Sequence, residues 1–196
     1  IIKSANNVAT VFSEHISGSE RDFAKLMTKY ALNIGMKKTT FKNASGLPDR
    51  KQVSTARDMA ILARALIYNH PQYYHYFSTG NFAYKGSNYK NHNKLLKTYD
   101  GMDGIKTGYI HASGFNLVAS AVRDNRRLVA VVFGGDLNAA VRVGQRNGRT
   151  SRADRRCQEW IRASCGMAAV NSHADNVRGV RSWVDPRGRH DMDLDH

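Results

Sequence analysis

No lysine occurs after Lys106 in this 196-residue chain, and it holds only two cysteines and three prolines. Nor does any apolar run approach the roughly 18 residues that a membrane-spanning helix needs. Each absence excludes something. The few prolines, the lack of low-complexity tracts and 41% hydrophobic residues argue against a disordered polypeptide and for one ordinary domain with a real core. Cys157 and Cys165 fit neither a zinc pair nor a Cys-x-x-Cys redox motif, and nothing nearby completes a metal site, so no metal and no cofactor is implied. The chain opens Ile1-Ile2-Lys3, without methionine or leader and in mid-element, which reads as a fragment and says nothing about compartment.

What the chain does have is charge. Its formal net charge of +14 suggests an anionic partner at first sight. The charge is unevenly built, with lysine dominant up to Lys106 and arginine alone beyond it. Much of the excess belongs to a stretch from Gln145 to His196 that is rich in Arg, Gly and Asp and lacks a sustained apolar face. The division expected is a domain over 1–141 and an Arg-rich, poorly ordered tail over 142–196, divergent or shifted in reading frame near Asn138 to Gly144. On that reading the net charge is weak evidence for a nucleic-acid partner, and none is expected.

Periodicity sketches the domain. Val8, Val11, Phe12 and Ile16 recur at helical spacing from Ser4 to about His15, before Gly18. Ser19 with Asp22 reads as the cap of a second helix closed by Gly35, and Ser54-Thr55 caps a third that ends ahead of Pro71. Residues 41–49 are turn chemistry. Phe82 to Tyr84 and Asn91 to Leu96 are weak strand or loop signals. Phe115 to Ala121 and Arg127 to Phe133 are strong strands joined at Asp124-Asn125. Helices first and antiparallel strands last give an α+β domain.

Two motifs carry chemistry. Lys106-Thr107-Gly108 follows a glycine-flanked turn and begins a strand that runs into Phe115 to Ala121. The lysine offers a positive charge to a carboxylate, and the glycine lets a substrate backbone come close. The other is Ser4-Ala5-Asn6, at the head of the first helix, where the ordinary reading is a helix cap. In this order the two match the second and third elements of the signature of penicillin-binding proteins and serine β-lactamases.

With Gly35 to Thr39, Phe41 to Asp49, Ser54 to Ala60, Asn91 to Leu96, Asp103 to Tyr109 and Ala112 to Ala121 added, the chain from Ile1 to about Gly135 resembles the low-molecular-mass penicillin-binding proteins that are D-alanyl-D-alanine carboxypeptidases. The resemblance implies a partial β-lactamase/transpeptidase-like domain, helices packed on an antiparallel sheet. It implies acyl transfer, in which the serine of a Ser-x-x-Lys attacks a peptide carbonyl and the acyl-enzyme is hydrolysed. Ser4 would relay a proton to the leaving D-alanine. Asn6 would bond the substrate amide or hold the catalytic lysine. Lys106 and Thr107 would bind the terminal carboxylate, with Arg142 as a further match, and Gly108 would let the substrate lie along the strand. A cation at Lys106 would also favour the neutral form of the catalytic lysine that a general base requires. The implied partners are a peptidoglycan stem peptide ending in D-Ala-D-Ala and, for the intact family member, β-lactam antibiotics. The implied place is the periplasm or cell envelope, with membrane association of the intact protein left open.

The family's Ser-x-x-Lys lies ahead of its Ser-x-Asn, where this chain has three residues, so the nucleophile is expected upstream and this polypeptide is expected to be inactive. The one Ser-x-x-Lys present, Ser87 to Lys90, lacks a helical context and reads as a decoy. Two other readings stay open: a serine β-lactamase-like protein, or a non-catalytic basic binding protein.

Overall fold

The computed structural model describes residues 1–135 and 169–172. Helix α1 (Asn6–Ser17) ends at Gly18, whose φ of 74° gives the left-handed turn that releases the chain. Helix α2 (Glu20–Asn33) starts at Ser19, whose hydroxyl accepts the Asp22 amide at 3.1 Å. After the loop 34–55, helix α3 (Ala56–Asn69) is capped in the same way by Thr55 through the Asp58 amide. Pro71 lies just past the end of α3, as expected, and also opens helix α4 (Pro71–Ser78). Its fixed φ and missing N–H are harmless at a first helical position, so the residue that ends one helix starts the next.

Strands β1 (Asn81–Tyr84) and β2 (Ser87–Lys90) form a separate two-stranded antiparallel ribbon, turned by Lys85 and Gly86 with φ of 46° and 75°. A short helix α5 (Leu95–Thr98) leads into β3 (Met102–Ile110), then β4 (Gly114–Arg123) and β5 (Arg126–Gly135). The expected single strand from Lys106 into Phe115 is therefore a hairpin. Gly114, at φ 65°, follows the 111–113 turn because a Cβ there would crowd the Gly135 carbonyl at 3.2 Å. Asp124 and Asn125 both adopt left-handed φ, 48° and 58°, which these two side chains tolerate, and they close the β4–β5 hairpin as expected.

The main sheet runs β3-β4-β5-β6, where β6 (Ala169–Ser172) pairs antiparallel with β5, so among the described residues β3 is an edge. Its core forms where Ala60, Ala63 and Ile67 of α3 meet Ile105, Val118, Val129 and Val131, flanked by Tyr74 and Phe77. Small residues on α3 let the helix settle close to the valine-rich strands. The mixed helical and antiparallel architecture is the α+β class the sequence implies. On α1, by contrast, Val8, Val11, Phe12 and Ile16 are all more than half exposed. The periodicity that marks this helix is real, but among the described residues its apolar face meets little. No helix of the described residues is long and apolar enough to cross a membrane.

Candidate active site

The edge strand β3 carries Lys106, Thr107 and Gly108, paired across to Val118, Leu117 and Asn116 of β4. The Lys106 ammonium is half-buried, and burial holds its pKa below the ordinary lysine value. Its one described partner is the neighbouring Thr107 carbonyl. A cation so placed is desolvated without a counter-ion among the described residues, and an arriving carboxylate would supply one. At Gly108 a Cβ would meet nothing within 4 Å, so the space beside the strand is open. Edge, cation and open backbone together suit a short peptide added as a further strand with its terminal carboxylate at Lys106.

Ser4 and Asn6 lie where α1 begins, and neither caps it. The cap position is Ala5, with no side-chain hydrogen bond, while Asn6 is exposed and offers its carbonyl to Thr10 Oγ1 at 3.4 Å. Ser4 has φ of 54°, and its amide donates to the Ile1 carbonyl at 3.1 Å. A non-glycine residue held left-handed is uncommon, and such residues gather at functional sites. The structural reading of Ser-x-Asn as a helix cap is thus removed. Lys3 places its ammonium 4.8 Å over the Tyr89 ring, which seats the Ser4 turn on the β1–β2 ribbon. Among the described residues no hydrogen bond joins Ser4 or Asn6 to Lys106. Arg142 lies outside the described residues, as do Cys157 and Cys165.

Ser87 and Lys90 stand at the two ends of β2. Three residues apart on an extended strand, their side chains point to opposite faces, so they cannot form a serine–lysine pair on this element. On a helix the same spacing would bring them together.

Sequence reasoning missed a polar cluster at the root of β3. The Asp103 carboxylate accepts from Arg127 Nη1 at 2.7 Å and from the Tyr74 hydroxyl at 3.3 Å. The same Arg127 nitrogen donates to Ser120 Oγ at 2.7 Å, and its guanidinium lies 5.3 Å over the Tyr74 ring. Burial, opposed by a hydrogen bond with Ser120, raises the Tyr74 phenol to about 12. Beside it the buried Asn93 donates from Nδ2 to the Gly104 carbonyl at 3.1 Å. The only trace of this cluster in the sequence is the set of polar residues interrupting otherwise apolar elements.

A helical layer on an antiparallel sheet, with a Lys-Thr-Gly edge strand, places the molecule among the penicillin-binding-protein folds. Penicillin binding protein 5 from Haemophilus influenzae superposes with a TM-score of 0.70 at 34% identity, covering 82% of this chain and 45% of that one. Penicillin-binding protein D2 from Listeria monocytogenes, in its cefotaxime-bound form, gives 0.66 at 28% identity over 80% of this chain and 61% of that one. Residues 1–137 match the family described as D-alanyl-D-alanine carboxypeptidase, and the chain belongs to that family. It is 41% identical over 138 residues to the D-alanyl-D-alanine carboxypeptidase DacD of Escherichia coli strain K12, covering 69% of this chain and 35% of the relative. The chain spans between about a third and a half of the length of the curated relatives it matches.

Proposed function

We propose that this chain carries the substrate-binding and proton-relay parts of a serine-type D-Ala-D-Ala carboxypeptidase, which removes the terminal D-alanine from peptidoglycan stem peptides in the cell envelope. The observation that carries the reading is Lys106, desolvated and without a counter-ion among the described residues, on an edge strand whose Gly108 leaves room for a peptide. In this reading the peptide extends the sheet beyond β3, and its terminal carboxylate takes the Lys106 ammonium and the Thr107 hydroxyl, with Arg142 adding a second charge. Ser4 passes a proton to the departing D-alanine amine, and Asn6 bonds the substrate amide. The electrons of the scissile C–N bond leave with that amine, and the carbonyl carbon stays on the acylating serine until water releases it.

The acylating serine and its lysine are not in this chain. Its one Ser-x-x-Lys is Ser87 to Lys90, on a strand, so the polypeptide by itself binds substrate without turning it over. β-Lactams acylate the same serine in the intact enzyme, in keeping with the cefotaxime-bound state of the Listeria relative.

The test has two arms. Incubation with a fluorescent penicillin should give no covalent adduct, and an adduct at Ser87 would overturn the assignment of the nucleophile. Titration of the 15N-labelled chain with a diacetylated L-lysyl-D-alanyl-D-alanine peptide should shift the amides of Thr107 and Gly108. The peptide ending in an amide in place of the carboxylate should shift them far less. Equal response to both peptides would sink the substrate-binding role of Lys106.

A further inference from the structure

Strand β3 does not enter the sheet evenly. Met102 faces Ala121 and Gly104 faces Ser120, so β3 spends two steps where β4 spends one, and Asp103 is the extra residue. A bulge of this kind leaves the strand locally free to swivel and is a common way to aim a side chain. Lys106 lies three residues further on. Any freedom at Asp103 would move the ammonium that the proposed function places on the substrate carboxylate.

The structure removes that freedom with groups from four separate places. Arg127 reaches from β5 across β4 to the Asp103 carboxylate, 24 residues away in sequence, and is steadied on its way by Ser120. Tyr74 comes from α4 and donates to the same carboxylate, 29 residues away. Its hydroxyl also occupies the space beside Gly104, where a Cβ would lie only 2.8 Å from it. On the remaining side Asn93 holds the Gly104 carbonyl. Asn93 is itself fixed, its amide donating to Asn91 Oδ1 at 2.9 Å and its Oδ1 accepting from the Leu95 amide at 3.2 Å.

Stability alone is a poor reason for this arrangement. The Asp103–Arg127 pair is about three-quarters buried on both sides, and a pair of that kind repays little more than its own desolvation. Where such pairs act beyond stability, the best-attested role is to select one register. In a strand a slip of one residue turns every side chain to the other face.

We propose that Asp103 and Arg127 are positioning residues, which fix β3 at its bulge so that Lys106 meets the substrate carboxylate. The proposal rests on the reading of Lys106 given above. Neither residue touches substrate. Both act through the backbone of β3, with Tyr74 and Asn93 as supports.

The experiment compares Asp103→Asn, Arg127→Met and Arg127→Lys in the full chain, using the carboxylate and amide forms of the diacetylated tripeptide and NMR shifts at Thr107 and Gly108. A looser clamp should lower the preference for carboxylate roughly tenfold in Asp103→Asn and Arg127→Met, because a misplaced ammonium forfeits much of a charge-assisted hydrogen bond. Arg127→Lys, which keeps the charge, should retain most of the preference. Thermal melting of each variant is followed alongside, and Asp103→Asn keeps the side-chain shape if Arg127→Met fails to fold. Variants that melt earlier yet keep the wild-type preference would show a merely structural pair and overturn the proposal alone. A wild-type chain with no carboxylate preference would overturn the Lys106 reading and the positioning role with it.

Discussion

Arg127 on β5 and Asp103 on β3 meet at 2.7 Å across an intervening strand, so the two outer members of a three-stranded unit are tied directly to each other. Ser120 of β4 lies beneath the bond and takes part in it. The tie sits at one end of the strand that bears Lys106, and it makes the two ends of β3 unlike. The root is held by side chains from several elements, whereas Gly108 near the far end is open.

That contrast predicts opposite outcomes at two glycines of one strand. Gly108→Ala should leave the unfolding free energy, read from urea titration, within about 0.5 kcal/mol of wild type, since the new methyl meets nothing. On the proposed binding mode it should nonetheless weaken binding of the D-Ala-D-Ala peptide, because the methyl would stand where the peptide is proposed to lie. Gly104→Ala should destabilise by about 1–3 kcal/mol, because its methyl is forced onto the Tyr74 hydroxyl. Equal peptide binding by Gly108→Ala and wild type would count against an added strand at this edge.

The proposed role of Lys106 implies a pH dependence of binding. Burial holds its pKa below 10.5, so the ammonium is lost before an ordinary lysine would lose it. Peptide binding should fall as pH climbs through that lowered value, and Lys106→Arg, which keeps its charge, should hold binding through the same window. Fold stability moves the other way. The unfolded chain binds this proton more tightly, so this contribution to stability rises with pH from the lowered pKa up to 10.5.

Tyr74 has the reverse sign. Its phenol is raised from 10.0 to about 12, chiefly by burial, so the unfolded chain gives up the proton first. The stability this contributes is intact below pH 10 and is lost as pH rises through about 12. An ultraviolet titration of the phenols should show a late step that is missing in Tyr74→Phe. The variant should also lose less stability than wild type across that alkaline window.

Asp58 is buried at the start of α3, where its carboxylate accepts from Thr39 Oγ1 at 2.6 Å and the Lys38 amide at 2.8 Å. Asp58→Ala strands the Lys38 amide, leaves the Thr39 hydroxyl only Ser54 Oγ at 2.9 Å, and should cost about 3 kcal/mol or more, read from urea unfolding. Asp58→Asn keeps the shape and one acceptor oxygen and should cost roughly half as much.

Phe12 makes the converse case on α1. It is 60% exposed, so Phe12→Ser should change stability by no more than about 0.5 kcal/mol. Concentration-dependent light scattering should fall, since the substitution interrupts an exposed apolar stripe. A loss of several kcal/mol would show that Phe12 is covered in solution.

The motif residues were legible from sequence because their information is local. Lys106, Thr107 and Gly108 are contiguous, and the caps at Ser19 and Thr55 lie three residues from the amides they bind. Asp124 and Asn125 announced their hairpin through the conformations their side chains accept. Helix α4 was missed because a proline ending one helix and a proline opening the next read alike. The β1–β2 ribbon gave a weak signal because both strands are exposed and carry little apolar alternation.

By itself the sequence determined the family and the α+β class and singled out the residues proposed to bear the chemistry, since short-range propensity and collinear motifs survive without three-dimensional context. Only the tertiary structure decided that Lys106 is desolvated, that Ser4 is a left-handed turn and not a cap, and that Ser87 and Lys90 lie on opposite faces of a strand. It alone decided that Asp103 meets Arg127. A contact across 24 residues depends on how strands register and pack, and no local pattern encodes where two distant side chains will arrive.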